Sequence, residues 1–384
     1  MKLLGLDTET PKFDDKEKWK GTVYGDPRSI VCYSVATDEY WSKAEKWTEH
    51  SKAVVQDLLD FYDLIVMFNG KHDVGWLRKM GVDFSKVRIW DVQLGEFILG
   101  RQLNKFPSLD DTCIKYNIPV KLDVVKTEYW DKGIDTADIP WNILSEYAAG
   151  DAARTLSAYH AQLPLLTPRQ RRLVGLMSMD MLVLQEMEWN GIKYNESLCK
   201  EKEQELDDEI SKTRNALRSV YPDVPINFGS PDMLSAFLYG GTIVEDIKVA
   251  DGIFKTGPRK GLPKLKNAEV EHHLPRLFTP VKGSELKKEK LYATNEACLL
   301  KIKAIDKRNK WILDQLLRLA KLETLNSKYY HGLPALNAAM HWPKERLHGN
   351  FNQTLAATGR LSSNKPNQQN FASELQDIFV SEFD

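Results

Sequence analysis

The first apolar run is Leu3-Leu4-Gly5-Leu6, closed by Asp7-Thr8-Glu9-Thr10-Pro11. It has no room for a helix cap, so it reads as a buried strand, and the proline stops it. Ser29 to Thr37 alternates and is β-branched, which predicts a second strand in a hairpin with the first. Glu39 to Trp41 is expected to start a third. Helical spacing follows over Ala53–Tyr62. A short apolar strand then spans Asp63–Phe68 and ends at Asn69-Gly70, followed by a helix over Lys71–Met80. Arg88–Asp91 reads as another strand, and Val92–Leu99, Ser108–Tyr116 and Trp141–Leu163 as helices. Strands and helices mixed behind a hairpin predict a three-layer α/β domain.

The pattern changes after Leu163-Pro164-Leu165-Leu166-Thr167-Pro168, where two prolines and a helix cap predict a domain boundary between 165 and 166. Arg169–Trp189 reads as an amphipathic helix with Leu173, Leu176, Met177, Met181, Leu184 and Met187 on its core side. Asn190-Gly191 ends it. Ile192 and Tyr194 are extended, and Glu196–Val220 is a second long helix. Asp246–Lys290 reads as irregular. Lys255, Arg259, Lys260, Lys264 and Lys266 cluster there, either as a solvated surface or against nucleic-acid backbone. A helix through Leu299, Ile302 and Ile305, and another over Trp311–Tyr329, are expected to form a helical hairpin. Lys301, Lys303, Lys307, Arg308 and Lys310 lie on its outside.

Composition narrows the classes. A chain of 384 residues with 42% hydrophobic residues supports two or three packed domains. The net charge of −1 gives no global nucleic-acid signature, so any such surface is a local patch. Cys32, Cys113, Cys199 and Cys298 form no Cys-x-x-Cys pair, which argues against a zinc site or a disulfide framework and for a reducing, cytoplasmic compartment. No signal peptide precedes the first strand, and no apolar run is long enough to span a bilayer.

Candidate chemistry begins with Asp7 and Glu9, which share one face of a strand because they are two apart. Carboxylates forced together repel, and divalent cations such as Mg²⁺ relieve the repulsion through oxygen ligands. Asp73 opens a helix just past a strand end, with Asn69 four residues earlier as a cap or substrate contact. Tyr147 and Asp151 lie four apart on a helix, with small residues between them that permit close approach. Each of these, alone, fits ordinary structure better than catalysis.

Their order is more specific. Asp7-Thr8-Glu9, then Asn69-x-x-x-Asp73, then Tyr147-x-x-x-Asp151 resembles the exonuclease family with four acidic metal ligands and a tyrosine on an RNase H-like fold. The histidine-type variant would need His where Glu146 stands. His72 departs from the aromatic residue usual before the aspartate. The resemblance implies that Asp7, Glu9, Asp73 and Asp151 hold two Mg²⁺ (or Mn²⁺) ions, that Tyr147 orients the attacking water, and that nucleotides are removed singly from a single-stranded 3′ end.

Leu184–Ile192 and Asn227–Leu234 resemble segments of family A DNA polymerases, the second lying before the thumb. Gly349–Thr354, Thr358-Gly359-Arg360-Leu361-Ser362-Ser363 and Pro366-Asn367-Gln368-Gln369-Asn370 resemble the run before the first catalytic aspartate of that family's palm. Gln368 stands where the family has leucine. Arg360, Ser362, Asn367, Gln369 and Asn370 are the implied contacts to primer–template DNA, through phosphates and shared groove acceptors.

The implied architecture is an exonuclease domain, 1–165, followed by a mainly helical partial thumb and palm, 166–384. The family's palm aspartates and fingers helix find no match before Asp384, and the layout looks like phage-type members. The expectation is therefore a split or truncated polymerase whose palm and fingers come from a second polypeptide. A stand-alone exonuclease of DNA or RNA, or a non-catalytic DNA-binding scaffold, are the alternatives.

Overall fold

A computed structural model describes residues 1–12, 22–37, 41–120, 124–253, 255–287 and 291–382. By contact the chain forms two compact units, Met1–Glu196 with Leu333–Asp384, and Ser197–Gly332. This grouping follows a different plan from a cut at 165/166.

The first unit is built on a five-stranded sheet: β1 (Leu3–Glu9), β2 (Cys32–Ala36), β3 (Ser42–Lys46), β4 (Leu64–Met67) and β5 (Ile89–Asp91), in the order β3-β2-β1-β4-β5. β1 pairs antiparallel with β2 as the hairpin reading expected, and parallel with β4. The third strand begins after the expected position, of which Glu39 and Tyr40 lie outside the described residues. The helices of this part are α1 (Ser51–Phe61), α2 (Lys71–Lys79), α3 (Val92–Leu99), α4 (Leu109–Lys115), α5 (Val124–Glu128), α6 (Trp141–Gln162) and α7 (Pro168–Asn190).

Alternation along β1 decides what each face does. Leu4 and Leu6 are buried in a core with Val55 and Leu59 of α1 and Val74 and Leu77 of α2. Gly5, Asp7 and Glu9 point to the opposite face, where α6 packs. A Cβ on Gly5 would stand 2.8 Å from the Ala152 carbonyl oxygen and 3.3 Å from Leu156 Cβ. With Ala148 and Ala152 fully buried, α6 therefore lies directly on β1, as the small residues around Asp151 suggested. Gly5→Ala must push α6 outward. It is expected to cost about 1–3 kcal/mol, in the range of overpacked cores. Urea unfolding checks this; an unchanged midpoint would contradict the close approach.

α7 opens with a capping box between Thr167 and Gln170, with Pro168 in its first turn. Its buried face differs from the expected one. Val174, Ser178, Met181, Leu182, Leu184, Gln185 and Glu188 are buried, whereas Leu173, Leu176 and Met187 are 41%, 59% and 52% exposed. Hydropathy misled here because the inward face carries polar groups, several of them paired inside. Ser178, for example, donates to the Val174 carbonyl and accepts from Asp91 N at 3.0 Å.

The chain continues through β6 (Ile192–Lys193), α8 (Glu196–Arg218), α9 (Pro231–Tyr239), β7 (Gly241–Ile253), β8 (Pro263–Leu274), α10 (Glu296–Leu299), α11 (Lys307–Leu325), α12 (Gly332–Ala339), β9 (Arg346–Leu347), β10 (Asn350–Asn352) and β11 (Ser362–Asn364). In the second unit the expected helical hairpin is not formed as drawn. α10 is a single turn, and Asp306 caps α11 by accepting from Asn309 N. The long partner of α11 is α8, bound through Arg214–Glu323 at 2.6 Å and Arg318–Glu209 at 2.9 Å. Lys301, Lys303, Lys307, Arg308 and Lys310 are exposed as expected. The stretch expected to be irregular contains a long β7–β8 hairpin instead.

Segment 333–384 belongs with the α/β part because buried polar bonds hold it there. Lys71 Nζ reaches Glu188 Oε1 at 2.6 Å, Asn350 Oδ1 at 2.7 Å and the Phe351 carbonyl. Phe351 N donates to Glu188 Oε1 at 2.6 Å. His348 stacks on Tyr24 at 4.2 Å. No described helix is long and apolar enough to cross a membrane.

Candidate active site

Asp7 and Glu9 leave the end of β1 toward α6, and Asp151 meets them from that helix. Their carboxylate oxygens lie within 4.8 Å of one another, with Glu9 and Asp151 buried and Asp7 partly so. Three oxygen donors at this spacing suit a hard divalent ion such as Mg²⁺ or Mn²⁺, with water completing its shell. Cys32 lies directly across from Glu9 on β2. Burial, and then the Glu9 and Asp7 charges, push its thiol pKa far up, so it stays protonated beneath the carboxylates.

Asp73 is not in this group of three. β4 pairs with β1 only as far as Gly5, which leaves Thr8 N without a strand partner on that side. Asp73 fills the place: its Oδ1 accepts from Thr8 N at 3.1 Å and Thr8 Oγ1 at 2.6 Å. Of the expected four carboxylates, three converge, and Asp73 is tied to Thr8, the residue between Asp7 and Glu9. Spacing along the sequence could not reveal this, because it depends on where β4 stops.

Burial raises the Asp73 pKa to about 7, with the Asp91 charge adding to the effect. The folded value lies above the unfolded one near 3.9, so the folded state holds the extra proton. Its stability is full below about pH 4 and declines as pH rises through 7. Asp73→Asn keeps the acceptor for Thr8 and removes the buried charge. In EDTA it is expected to be more stable than the parent by roughly 3–4 kcal/mol at pH 8, the gain shrinking toward zero near pH 4. Thermal melts across that range check it; a pH-independent difference would contradict the burial argument.

Tyr147 stands one turn before Asp151 on α6, its ring edge-on to Trp130 at 5.7 Å. Two residues that the sequence reading passed over complete the surroundings. Arg154 Nη2 lies 3.0 Å from Asp151 Oδ1, an i,i+3 pair on α6 that the spacing alone could have suggested. Asp91, 2% exposed, accepts from Gly70 N at 2.7 Å and from Leu94 N at 3.1 Å. It therefore caps α3, whereas α2 begins at Gly70 with no side-chain cap, so Asn69 does not cap it. Asn69 instead turns the chain with φ of 55°, a left-handed conformation that Asn tolerates.

Asn69 lines a cleft of about 630 Å³ beside α2. Its walls include Tyr24, Trp76, Trp342, His348 and Asn350. None of Arg360, Ser362, Asn367, Gln369 or Asn370 lines it. Arg360, Asn367, Gln369 and Asn370 are exposed, and Ser362 is half-buried in β11. Asn367 Oδ1 accepts from Gln369 N at 3.1 Å and so shapes that turn. Gln368 lies against Gly349, where a Cβ would meet its amide nitrogen at 2.4 Å.

Comparison with known proteins places the C-terminal sequence. Residues 267–381 match the family described as DNA polymerase family A. DNA polymerase I of Synechocystis is 26% identical over 312 residues, spanning 79% of this chain and 26% of that protein. The Bacillus subtilis enzyme is 24% identical over 316 residues, 81% of this chain and 30% of that one. The thermostable DNA polymerase I of Thermus thermophilus is 49% identical over 59 residues, 15% of this chain and 7% of its own length. The chain is thus similar to family A DNA polymerases, with the family match in its C-terminal part, where the motifs around Arg360 lie. It spans between a quarter and a third of the length of the two longer-matching relatives. A solved structure described as the POL domain of Pol1 from M. smegmatis, in complex with DNA primer-template and dNTP, shares the fold. It has a TM-score of 0.66 and 21% identity, over 98% of this chain and 55% of that one.

Proposed function

We propose that the first unit is a 3′–5′ exonuclease acting on DNA, in the proofreading role of a family A polymerase. The observation that carries this is the convergence of Asp7, Glu9 and Asp151 from two elements distant in sequence. The sheet order, with an antiparallel β1–β3 and parallel β4 and β5, supports the RNase H-like reading.

Asp7, Glu9 and Asp151 would hold a divalent ion, and Asp73 is the adjacent carboxylate for a second. Bound ions supply charge neutralisation on the phosphoryl oxygens and a reactive water. The chain's own residues do the rest. Tyr147 orients the water from the turn before Asp151. Arg154 holds Asp151 in place. The cleft beside Asn69, with aromatic and amide walls, receives an unpaired strand, whose bases stack without regard to sequence.

The test is a 5′-labelled single-stranded oligonucleotide incubated with the full chain. Stepwise shortening from the 3′ end with Mg²⁺ or Mn²⁺, stopped by EDTA, is expected. An intact oligonucleotide under all metal conditions would reject the reading.

A second part of the proposal concerns polymerisation. Arg360, Ser362, Asn367, Gln369 and Asn370 would hold primer–template duplex, with palm and fingers supplied by another polypeptide. The exposed apolar row Leu173, Leu176, Val183 and Met187 along α7 favours such a docked partner over a stand-alone exonuclease. Separate elution of this chain and a palm-and-fingers polypeptide at micromolar concentration would count against it.

A further inference from the structure

The β7–β8 hairpin is long for its support. At about 3.3 Å per residue its strands extend roughly 40 Å. Its root is fixed in the core of the second unit by Ile243 and Leu274, 2% and 8% exposed. Beyond the root most of the ribbon is exposed, including Ile253, Leu262 and Leu265 near the tip. An isolated two-stranded ribbon is marginally stable in water.

Charge is sorted along it. Residues 250–266 carry Lys255, Arg259, Lys260, Lys264 and Lys266 against Asp251 alone. The root carries Glu245, Asp246, Glu269 and Glu271 against Lys248. Asp246 and Glu269 stand directly opposite each other in the register, a like-charge pairing that weakens the ribbon. The distal cations are all exposed. Asp251 contacts Lys264 and Lys266 at 3.5 Å each, exposed pairs that hold little energy and leave both cations available. Gly257 and Gly261, with φ of 81° and 87°, fold the tip tightly between Lys255 and Leu262.

We propose that the distal half of this hairpin is a contact for the phosphate backbone of duplex DNA. A polyanion matches the tip, while the acidic root repels it and restricts contact to the end of the ribbon. The sorting also explains why the ribbon is long: it carries the cations clear of their own acidic base. The proposal builds on the DNA-handling reading above and adds a binding surface to it.

The experiment measures binding of the full chain to a labelled primer–template duplex in EDTA as a function of salt. Lys255, Arg259, Lys260, Lys264 and Lys266 are all replaced by Gln. A control replaces Lys212, Lys282 and Lys287, which are exposed elsewhere on the same unit. Each lost phosphate contact lowers the log–log salt slope by about 0.9. The hairpin variant is expected to lose roughly 2–4 in slope and at least tenfold in affinity, the control much less. Hydrolysis of a short single strand is expected to stay at the parental rate. An unchanged slope, or an equal loss per charge in the control, overturns the hairpin contact and leaves the exonuclease reading standing. A parent chain that does not bind duplex overturns the hairpin contact as well; loss of single-strand hydrolysis is a separate failure, of the exonuclease.

Discussion

Asp151→Asn is expected to reduce 3′–5′ hydrolysis at least ~10³-fold, about 4 kcal/mol of transition-state stabilisation. Asp151 is the member of the trio that arrives from α6, so its loss opens one whole side of the site. The amide is nearly isosteric but is a poor ligand for a hard cation, and it carries no charge to balance one. It also deprives Arg154 of the carboxylate at 3.0 Å. Asp7→Asn and Glu9→Gln are expected to match it, because the three groups act on the same ion. Doubly substituted variants should then be little worse than singly substituted ones, since groups acting as a unit are not additive. Single-turnover rates on a labelled strand, with circular dichroism to show an intact fold, provide the check. Parental rates in the Asp151 variant would remove the main support for the exonuclease.

The second large effect is on stability. Lys71→Met is expected to destabilise the first unit by about 3–5 kcal/mol, the range for breaking one side of a buried ion pair. Glu188 has 6% of its side chain exposed and Lys71 18%. Burial raises the Glu188 pKa and lowers that of Lys71, which says that each charge is costly there and depends on the other. Removing the ammonium also leaves Asn350 Oδ1 and the Phe351 carbonyl without that donor. The double change Lys71→Met with Glu188→Met removes both charges and should recover a substantial part of the loss. Denaturant midpoints for the three variants decide it. A double variant less stable than Lys71→Met alone would mean that packing, not charge, governs this site.

Because Lys71 sits at the start of α2 and its partners include β10, the same substitution should loosen segment 333–384 from the α/β part. Hydrogen exchange at Phe351, whose N–H is bonded to Glu188, is expected to accelerate first.

Much of the candidate site could be read along the chain. The alternation Leu4, Leu6 against Gly5, Asp7, Glu9 requires only that β1 be a strand with two unlike faces. The four-residue step from Tyr147 to Asp151 requires only a helix. Thr167-Pro168 and Asn190-Gly191 mark the ends of α7 through cap chemistry, which is local. The family A run around Arg360 is local as well.

What the sequence could not determine was every feature set by where an element stops or what it meets. Asp73 stands beside the trio, bonded to Thr8, because β4 pairs with β1 only as far as Gly5 and a backbone N–H of β1 needs an acceptor. Asn69 does not cap α2, because the chain turns there with a left-handed Asn69 and Gly70 takes the N-cap position, its N–H held by the buried Asp91 that β5 delivers. The buried face of α7 is polar in part because Glu188 finds Lys71 and Phe351 N, partners from far along the chain. Sequence spacing decided the chemistry each local segment could offer; the packing of α6 on Gly5 and the length of β4 decided where each of those groups stands relative to the others.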